Sequence, residues 1–274
     1  MANIRDLDPS ASPLDYYGAE LRRFREAAGL NQQQLGAIIF CTGSLVGQIE
    51  TARKLPTREF TQRVDAALGT DGALMRLLKL VLRSQLPPWF QPYAEMEARA
   101  SHIYSFQAQL VHGLLQTEEY ARAVLGVLHQ DRLDDRVAAR TERQRILERE
   151  NPPLAWVVLS EAVLHQVIGG TEVMRNQLAR LLDFRDREWV QIQVLPFEAG
   201  AHGGLKGSFT ILRFDDDPDI VYSESYESGH MSANPVEAKA RSLRYDHLQA
   251  AALSVEDSAK LIARVMEERY GEQP

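Results

Sequence analysis

The step Leu86-Pro87-Pro88-Trp89 constrains this chain more than any other feature. Two successive prolines remove two backbone donors, and each pushes the residue before it into extended backbone, so no helix runs through them. Before the step, apolar residues keep a helical spacing. After it, helical and alternating segments mix. The 274 residues therefore read as two domains, 17–85 and 86–274, behind a flexible leader over 1–16 that carries Pro9, Ser10, Ser12 and Pro13. Trp89, Phe90 and Tyr93 follow the prolines, so the join packs on something and is no loose tether.

Composition excludes several classes. A hydrophobic share of 45% is that of a globular chain, not a disordered one. The one cysteine, Cys41, allows neither a disulfide framework nor a cysteine-based zinc site, and favours a reducing compartment. The first residues lack the apolar segment of a secretory signal, and no run reaches the ~18 apolar residues of a membrane span. A soluble cytoplasmic protein is expected, with no membrane association, cofactor or metal. The net charge of −7 argues against nucleic acid as a partner, but it is unevenly spread. Residues 1–85 hold 11 Lys+Arg against 9 Asp+Glu, a balance of +2, and residues 86–274 hold 20 against 29, a balance of −9.

The first domain reads as five short helices. Leu21, Phe24 and Ala28 share a face that ends at Gly29, where a left-handed residue is wanted. Asn31 caps a second helix with Leu35, Ile38 and Ile39 inward, and Thr42 caps a third with Val46 and Ile49 inward. Phe60, Val64, Ala67 and Leu68 mark a fourth, closed by Gly69, and 73–82 a fifth. The second domain reads as helical over 94–130, then as a charged helix over 134–150 whose mixed signs suit a solvated face. Strands are expected over 155–160, 189–195, 207–214 and 220–224, the last two joined as a hairpin across 215–219. Helices are expected over 161–168, 171–187, 236–251 and 255–270, the last capped by Ser254. The fold class is α+β: an all-α five-helix domain, then a larger domain with a small, mainly antiparallel sheet.

Residues 30–50 carry a mechanism. Two short helices on a tight turn need a small residue where they cross, which Gly36 supplies, and Leu35, Ile39, Val46 and Ile49 pin them together. The second helix then projects its first side chains into a major groove. Over about 18–70 the sequence resembles the phage-repressor-like, or XRE, helix-turn-helix family. The resemblance implies that Gly43, Ser44, Leu45 and Gln48 take base-facing positions. Gln48 has the chemistry to pair two-pronged with adenine, and Leu45 to meet a thymine methyl. It likewise implies that Gln32, Arg53, Lys54 and Arg58 hold phosphates, Gln32 also lying at a helix N-terminus, and that Arg25 and Glu50 form a structural ion pair. Arg5 in the leader offers a DNA-reaching arm, and a plain tail explains it too. Two features depart from the family. Phe40 stands where glycine is usual, and Gly43 and Gly47 bring no side chain to a base.

A second resemblance covers most of 89–262. It is carried by Glu97-Ala98-Arg99-Ala100, the run from Val111 to Ala123, Arg143-Gln144, Ser160 to Leu164, Gly169-Gly170 with Met174 and Gln177-Leu178, and Val194-Leu195-Pro196. Gly207-Ser208-Phe209, Val221 to Glu224, and Ala252-Leu253-Ser254 with Ser258 continue it. These stretches resemble a domain fused to helix-turn-helix modules in actinobacterial, WhiJ-like transcription regulators, with His112 where the family has proline, an exchange expected to loosen one turn. The resemblance implies no enzymatic activity, double-stranded DNA as a partner, a homodimer, and a small regulatory partner protein encoded nearby.

Several segments of this domain admit a ligand and a plain structural reading side by side. The 113–117 run is a ligand loop or a helix start capped by Thr117, with Glu118 and Glu119 at the positive end of the helix dipole. Gly169-Gly170-Thr171 is a phosphate cradle or a turn with an N-cap. His202-Gly203-Gly204 hints at an oxyanion loop, without the Gly-x-Ser-x-Gly elbow of a hydrolase. The 204–208 run lacks P-loop spacing, and 215–219 is a calcium loop or a polar turn. His165 suits a half-buried histidine better than a ligand. Glu161 and Glu224 would matter if they shared a cleft. The expectation is a dimeric sequence-specific regulator whose second domain receives a signal, from a small protein or from a small molecule. An enzyme autoregulated by the first domain is the contrasting alternative, and an adaptor that has lost DNA binding is a further one.

Overall fold

The computed structural model describes residues 7–127, 131–225 and 228–271, and the chain divides into two compact units, Met1–Pro87 and Pro88–Pro274. Arg5 lies outside the described residues.

The first unit holds five helices: α1 (Pro13–Ala27), α2 (Gln32–Ile38), α3 (Gly43–Glu50), α4 (Arg58–Leu68) and α5 (Ala73–Ser84). α1 starts inside the expected leader. The Ser12 side chain accepts the Asp15 N–H, Pro13 fits the first helical turn, and Leu14 is buried. Asn31 and Gln34 complete a reciprocal capping box at 2.9 and 2.8 Å. Thr42 Oγ1 accepts the Leu45 N–H at 3.2 Å, and Gly29 and Gly69 turn left-handed. Tyr17, Leu21, Leu35, Val46, Val64 and Leu74 are the centre of the core. α5 is capped from a distance: buried Asp65 on α4 accepts the N–H groups of Leu74 (3.1 Å) and Met75 (2.9 Å). Ile38 departs from expectation, being 48% exposed. With Leu35 and Ile39 already facing the core, the seven-residue helix turns Ile38 to its outer side.

The second unit opens with α6 (Gln91–Arg99) and is built on a six-stranded sheet. The strands are β1 (His102–Gln107), β2 (Leu154–Ser160), β3 (Val190–Leu195), β4 (Phe209–Arg213), β5 (Ile220–Ser225) and β6 (Ser228–Ser232), in the order β3-β2-β1-β4-β5-β6. β1 is parallel to β2, and β2 to β3; β1–β4, β4–β5 and β5–β6 are antiparallel. The sheet is thus mixed and larger than the small one expected, with three of its five pairings antiparallel. Two unexpected strands account for the larger size. β1 lies inside a segment read as helical, and β6 extends the 220–224 strand into a second hairpin.

The β1–β2 crossover carries α7 (Glu118–Gly126) and α8 (Leu133–Gln144), and the β2–β3 crossover carries α9 (Ala162–His165) and α10 (Thr171–Asp183). α11 (Pro235–Ala251) packs Ala238, Tyr245 and Leu248 against Phe106, Val158, Phe209 and Val221 of the sheet. α12 (Val255–Tyr270) starts at Ser254 as expected, and its Ser258 Oγ accepts the Val194 N–H at 2.8 Å, covering the β3 edge. Thr117 caps α7 (Oγ1 to the Tyr120 N–H, 3.2 Å), and 215–219 joins the β4–β5 hairpin. At 169–171 the cap is Gly170 at φ 99°, with no side-chain bond, and Thr171 is already helical.

Candidate nucleic-acid interface and a charged cavity

In the first unit, α2 and α3 meet at Gly36. A Cβ there would stand 2.8 Å from the Cys41 carbonyl oxygen and 2.9 Å from the Gly43 nitrogen, so only glycine allows this approach. The turn between the helices pays for its tightness at Phe40, which takes φ 59° while 86% exposed. Behind the pair lies a buried polar knot. Arg25 donates from Nε to Glu50 Oε1 at 2.5 Å, from Nη2 to Oε2 at 3.0 Å, and from Nη1 to the Leu30 carbonyl at 2.7 Å. Gln32 Nε2 donates to Glu50 Oε2 at 2.8 Å, and Arg22 stands 3.8 Å from the same oxygen. The fully buried Glu50 carboxylate is thereby satisfied, which a buried charge requires.

The residues singled out on α3 divide. Ser44 and Gln48 are exposed side by side, the Gln48 amide 3.4 Å from Ser44 Oγ. Leu45 is half-buried against the core. Gly43 turns toward α2, where a Cβ would stand 3.0 Å from Gln33 Cα, and a Cβ at Gly47 would stand 2.9 Å from Gln32 Oε1. These two glycines therefore serve close packing. Gln32 commits one of its two amide N–H donors to Glu50, which ties its side chain to the buried knot. α3 ends in a left-handed Ala52 (φ 53°), and the Arg53 N–H returns to the Gln48 carbonyl at 2.9 Å. That hook leaves Arg53 and Lys54 exposed directly after α3, while Arg58 opens α4 half-buried.

The second unit holds a cavity of about 510 Å³. Its wall includes Tyr93 and Glu97 of α6, Gln107 at the end of β1 and the run from there to Gly113, Arg140 and Arg143 of α8, the 204–208 loop, and Tyr222 and Glu224 of β5. Glu97 is fully buried and accepts from Tyr93 Oη at 2.9 Å. Arg143, with a side chain 10% exposed, brings Nε within 3.1 Å of Glu97 Oε2, yet neither atom has an aligned hydrogen bond among the described residues. Burial pushes the Glu97 carboxyl above its ordinary range, with Arg143 and Tyr93 pulling it back. Arg140 donates to Gln116 Oε1 at 2.9 Å, and burial followed by the Arg143 charge lowers its guanidinium to about 10. Burial and the same two arginines push the His112 imidazole down to about 3. His112 does not loosen its turn: Nδ1 accepts the Leu114 N–H at 3.3 Å.

The solvated reading of 134–150 is thus corrected on one face, which carries Arg140 and Arg143 into this wall. The two prolonged ambiguities resolve differently. His202 and Gly204 line the cavity, Gly204 packed so closely on the Phe106 ring that an added Cβ would overlap it. Glu161 and Glu224 do not share a cleft. Glu224 lines the cavity, whereas Glu161 lines a separate groove, 3.4 Å from His165 Nε2 and accepting the Phe197 N–H at 2.8 Å. Among the described residues no group of His, Cys, Asp and Glu is placed to hold a metal ion, and no helix is long and apolar enough to cross a membrane.

Residues 17–78 match a helix-turn-helix domain, so the chain is a helix-turn-helix DNA-binding regulator. Residues 90–264, well over half of its length, match a domain of unknown function (DUF5753), and the chain belongs to that family. No curated protein and no solved structure matches the chain.

Proposed function

We propose that this chain is a sequence-specific transcription regulator of XRE type with a WhiJ-like second domain, acting in the cytoplasm as a homodimer on double-stranded DNA. The observation that carries the reading is the outer face of α3. Ser44 and Gln48 stand exposed together on a helix held rigidly by the Arg25–Glu50 knot, and Arg53 and Lys54 follow at once. Such a helix presents base-reading groups and backbone-holding groups in one surface. A charge of only +2 over 1–85 is a thin electrostatic footprint, which supports two modules on two half-sites.

The second domain receives a signal and does no chemistry of its own. A small partner protein and a small molecule are the two sources the sequence leaves open, and the cavity favours the molecule. An enzymatic reading draws on the same cavity, because perturbed groups gather at catalytic sites. It requires turnover of whatever binds, where the regulator reading requires binding alone.

The test is fluorescence anisotropy of the purified chain on DNA from its own upstream region, at two salt concentrations. Binding that weakens steeply with salt and exceeds binding to scrambled DNA is expected. Absence of salt-dependent binding would overturn the reading. Light scattering at micromolar protein checks the dimer: a mass near 30.9 kDa, that of one chain, counts against it.

A further inference from the structure

The cavity lies at a particular place in the sheet. β1 has β2 parallel on one side and β4 antiparallel on the other, so the carboxyl end of β1 lies beside the amino end of β4. The carboxyl ends of β1 and β2, Gln107 and Ser160, both reach the cavity wall. Open α/β sheets hold ligands outside the carboxyl ends of their parallel strands. A volume of about 510 Å³ is that of a small-molecule site.

The wall is built around two arginines. An added Cβ at Gly113 would overlap Arg143 Nη2 and stand 3.9 Å from Arg140 Nη1, so two guanidinium groups flank one spot, and glycine keeps it open. Arg143 has its counter-charge in Glu97 and lies over the Phe90 ring at 4.8 Å. Arg140 has none in contact: no carboxylate among the described residues comes within ion-pair distance, Glu224 and Glu97 act on it only from further off, and its one hydrogen bond given above goes to a neutral amide. The turn that carries Gly113 and Gln116 is fixed from behind, where Gln144 Nε2 donates to both of their carbonyls at 2.9 Å. Glu224, exposed at the other side, accepts from Tyr222 Oη at 3.2 Å and keeps a second oxygen for a visitor. Burial is the first cause of the low Arg140 guanidinium and of the suppressed His112 imidazole, and the neighbouring arginine charge adds to both.

We propose that this cavity binds a small organic anion, its phosphate or carboxylate group seated on Arg140 beside Gly113 and the hydroxyl or amino groups of its body donating to Glu224. A planar guanidinium fork without a counter-charge in contact suits a phosphate or carboxylate better than any other group. The consequence for DNA rests on reading the second domain as the receiver of a signal; the binding does not.

The test is calorimetric titration of the full chain, without DNA, by inorganic phosphate, phenyl phosphate, benzoate and benzylamine. Saturable binding of phenyl phosphate or benzoate is expected, at least tenfold tighter than benzylamine, and the two anions distinguish a phosphate site from a carboxylate site. Arg140→Gln is expected to weaken the preferred anion at least tenfold, and Arg185→Gln, on an exposed side chain elsewhere, to leave it unchanged. Glu224→Gln removes a neighbouring negative charge from an exposed position and is expected to tighten phenyl phosphate severalfold, which keeps the test decisive if Arg140→Gln does not fold. No saturable anion binding, equal binding of benzylamine, or a weakening by Glu224→Gln would overturn the proposal. Loss of DNA binding with anion binding intact would instead overturn the regulator reading.

Discussion

Arg25 and Glu50 are joined by two parallel hydrogen bonds, Nε to Oε1 and Nη2 to Oε2, inside the helical core of the first unit. Glu50→Ala leaves the guanidinium buried with only the Leu30 carbonyl and Glu26 for partners. Loss of one member of a buried pair costs about 3–5 kcal/mol. Urea unfolding followed by circular dichroism is expected to show an early transition of the first unit in this variant. Joint replacement by Met at 25 and Leu at 50 is expected to cost less than the single change, since no charge is then stranded. A Glu50→Ala variant within about 1 kcal/mol of the parent would contradict this account.

Phe40 takes a left-handed backbone with its ring in solvent. A side chain in that conformation costs about 1–2 kcal/mol, and little packing offsets it. Phe40→Gly is expected to raise the stability of the first unit by about 1 kcal/mol, less than the full strain because glycine also frees the unfolded chain. Phe40→Ala keeps the Cβ and the strain, so it is the control and is expected to gain little. Equal gains from both would place the effect in the exposed ring and not in the backbone.

His112 gives the second unit a pH dependence. Its imidazole takes a proton near 6.5 when unfolded and only near 3 when folded, because burial, Arg143 and Arg140 all oppose the charge. The unfolded chain therefore binds the proton first as pH falls, and stability present above 6.5 is lost progressively toward 3. Between pH 7.5 and 5.0 this amounts to about 2 kcal/mol for one such group. His112→Asn keeps an acceptor for the Leu114 N–H and does not titrate. Denaturation midpoints at the two pH values are expected to converge in that variant, and an unchanged difference would assign the slope to other groups.

Local chemistry made the helices legible. Asn31, Thr42, Thr117 and Ser254 each cap a helix through a bond to the residue three positions on, a distance that sequence spacing encodes. β1 was not legible for the opposite reason. Its partners, Leu154–Leu159 and Phe209–Arg213, lie far along the chain, and its alternation is broken because Phe106 and Ser105 are both buried. The Arg140–Arg143 face looked solvated because mixed charges on a helix normally are. Only the return of α6, with Glu97 and Tyr93 one turn apart, turns that face into a wall. In the first unit, Gly43 and Gln32 aligned with DNA-contacting positions, yet their neighbours in space are each other's helices.

Gln48 and Arg53 are expected to fail differently when removed. Gln48 is exposed on α3 with only a long contact to Ser44, so its amide is available to a base edge. Gln48→Ala is expected to cost about 1–3 kcal/mol on the preferred sequence, to relax preference at one base pair, and to leave the salt slope as it was. Arg53 is fixed by its backbone hook to Gln48 and extends its charge into solvent after the helix. Arg53→Ala is expected to weaken every sequence alike and to lower the salt slope by about 1. Anisotropy titrations over a salt series, on the upstream DNA and on singly substituted copies, separate the two. Should Gln48→Ala reduce the slope while preference stays intact, α3 would be holding the backbone and the bases would be read elsewhere.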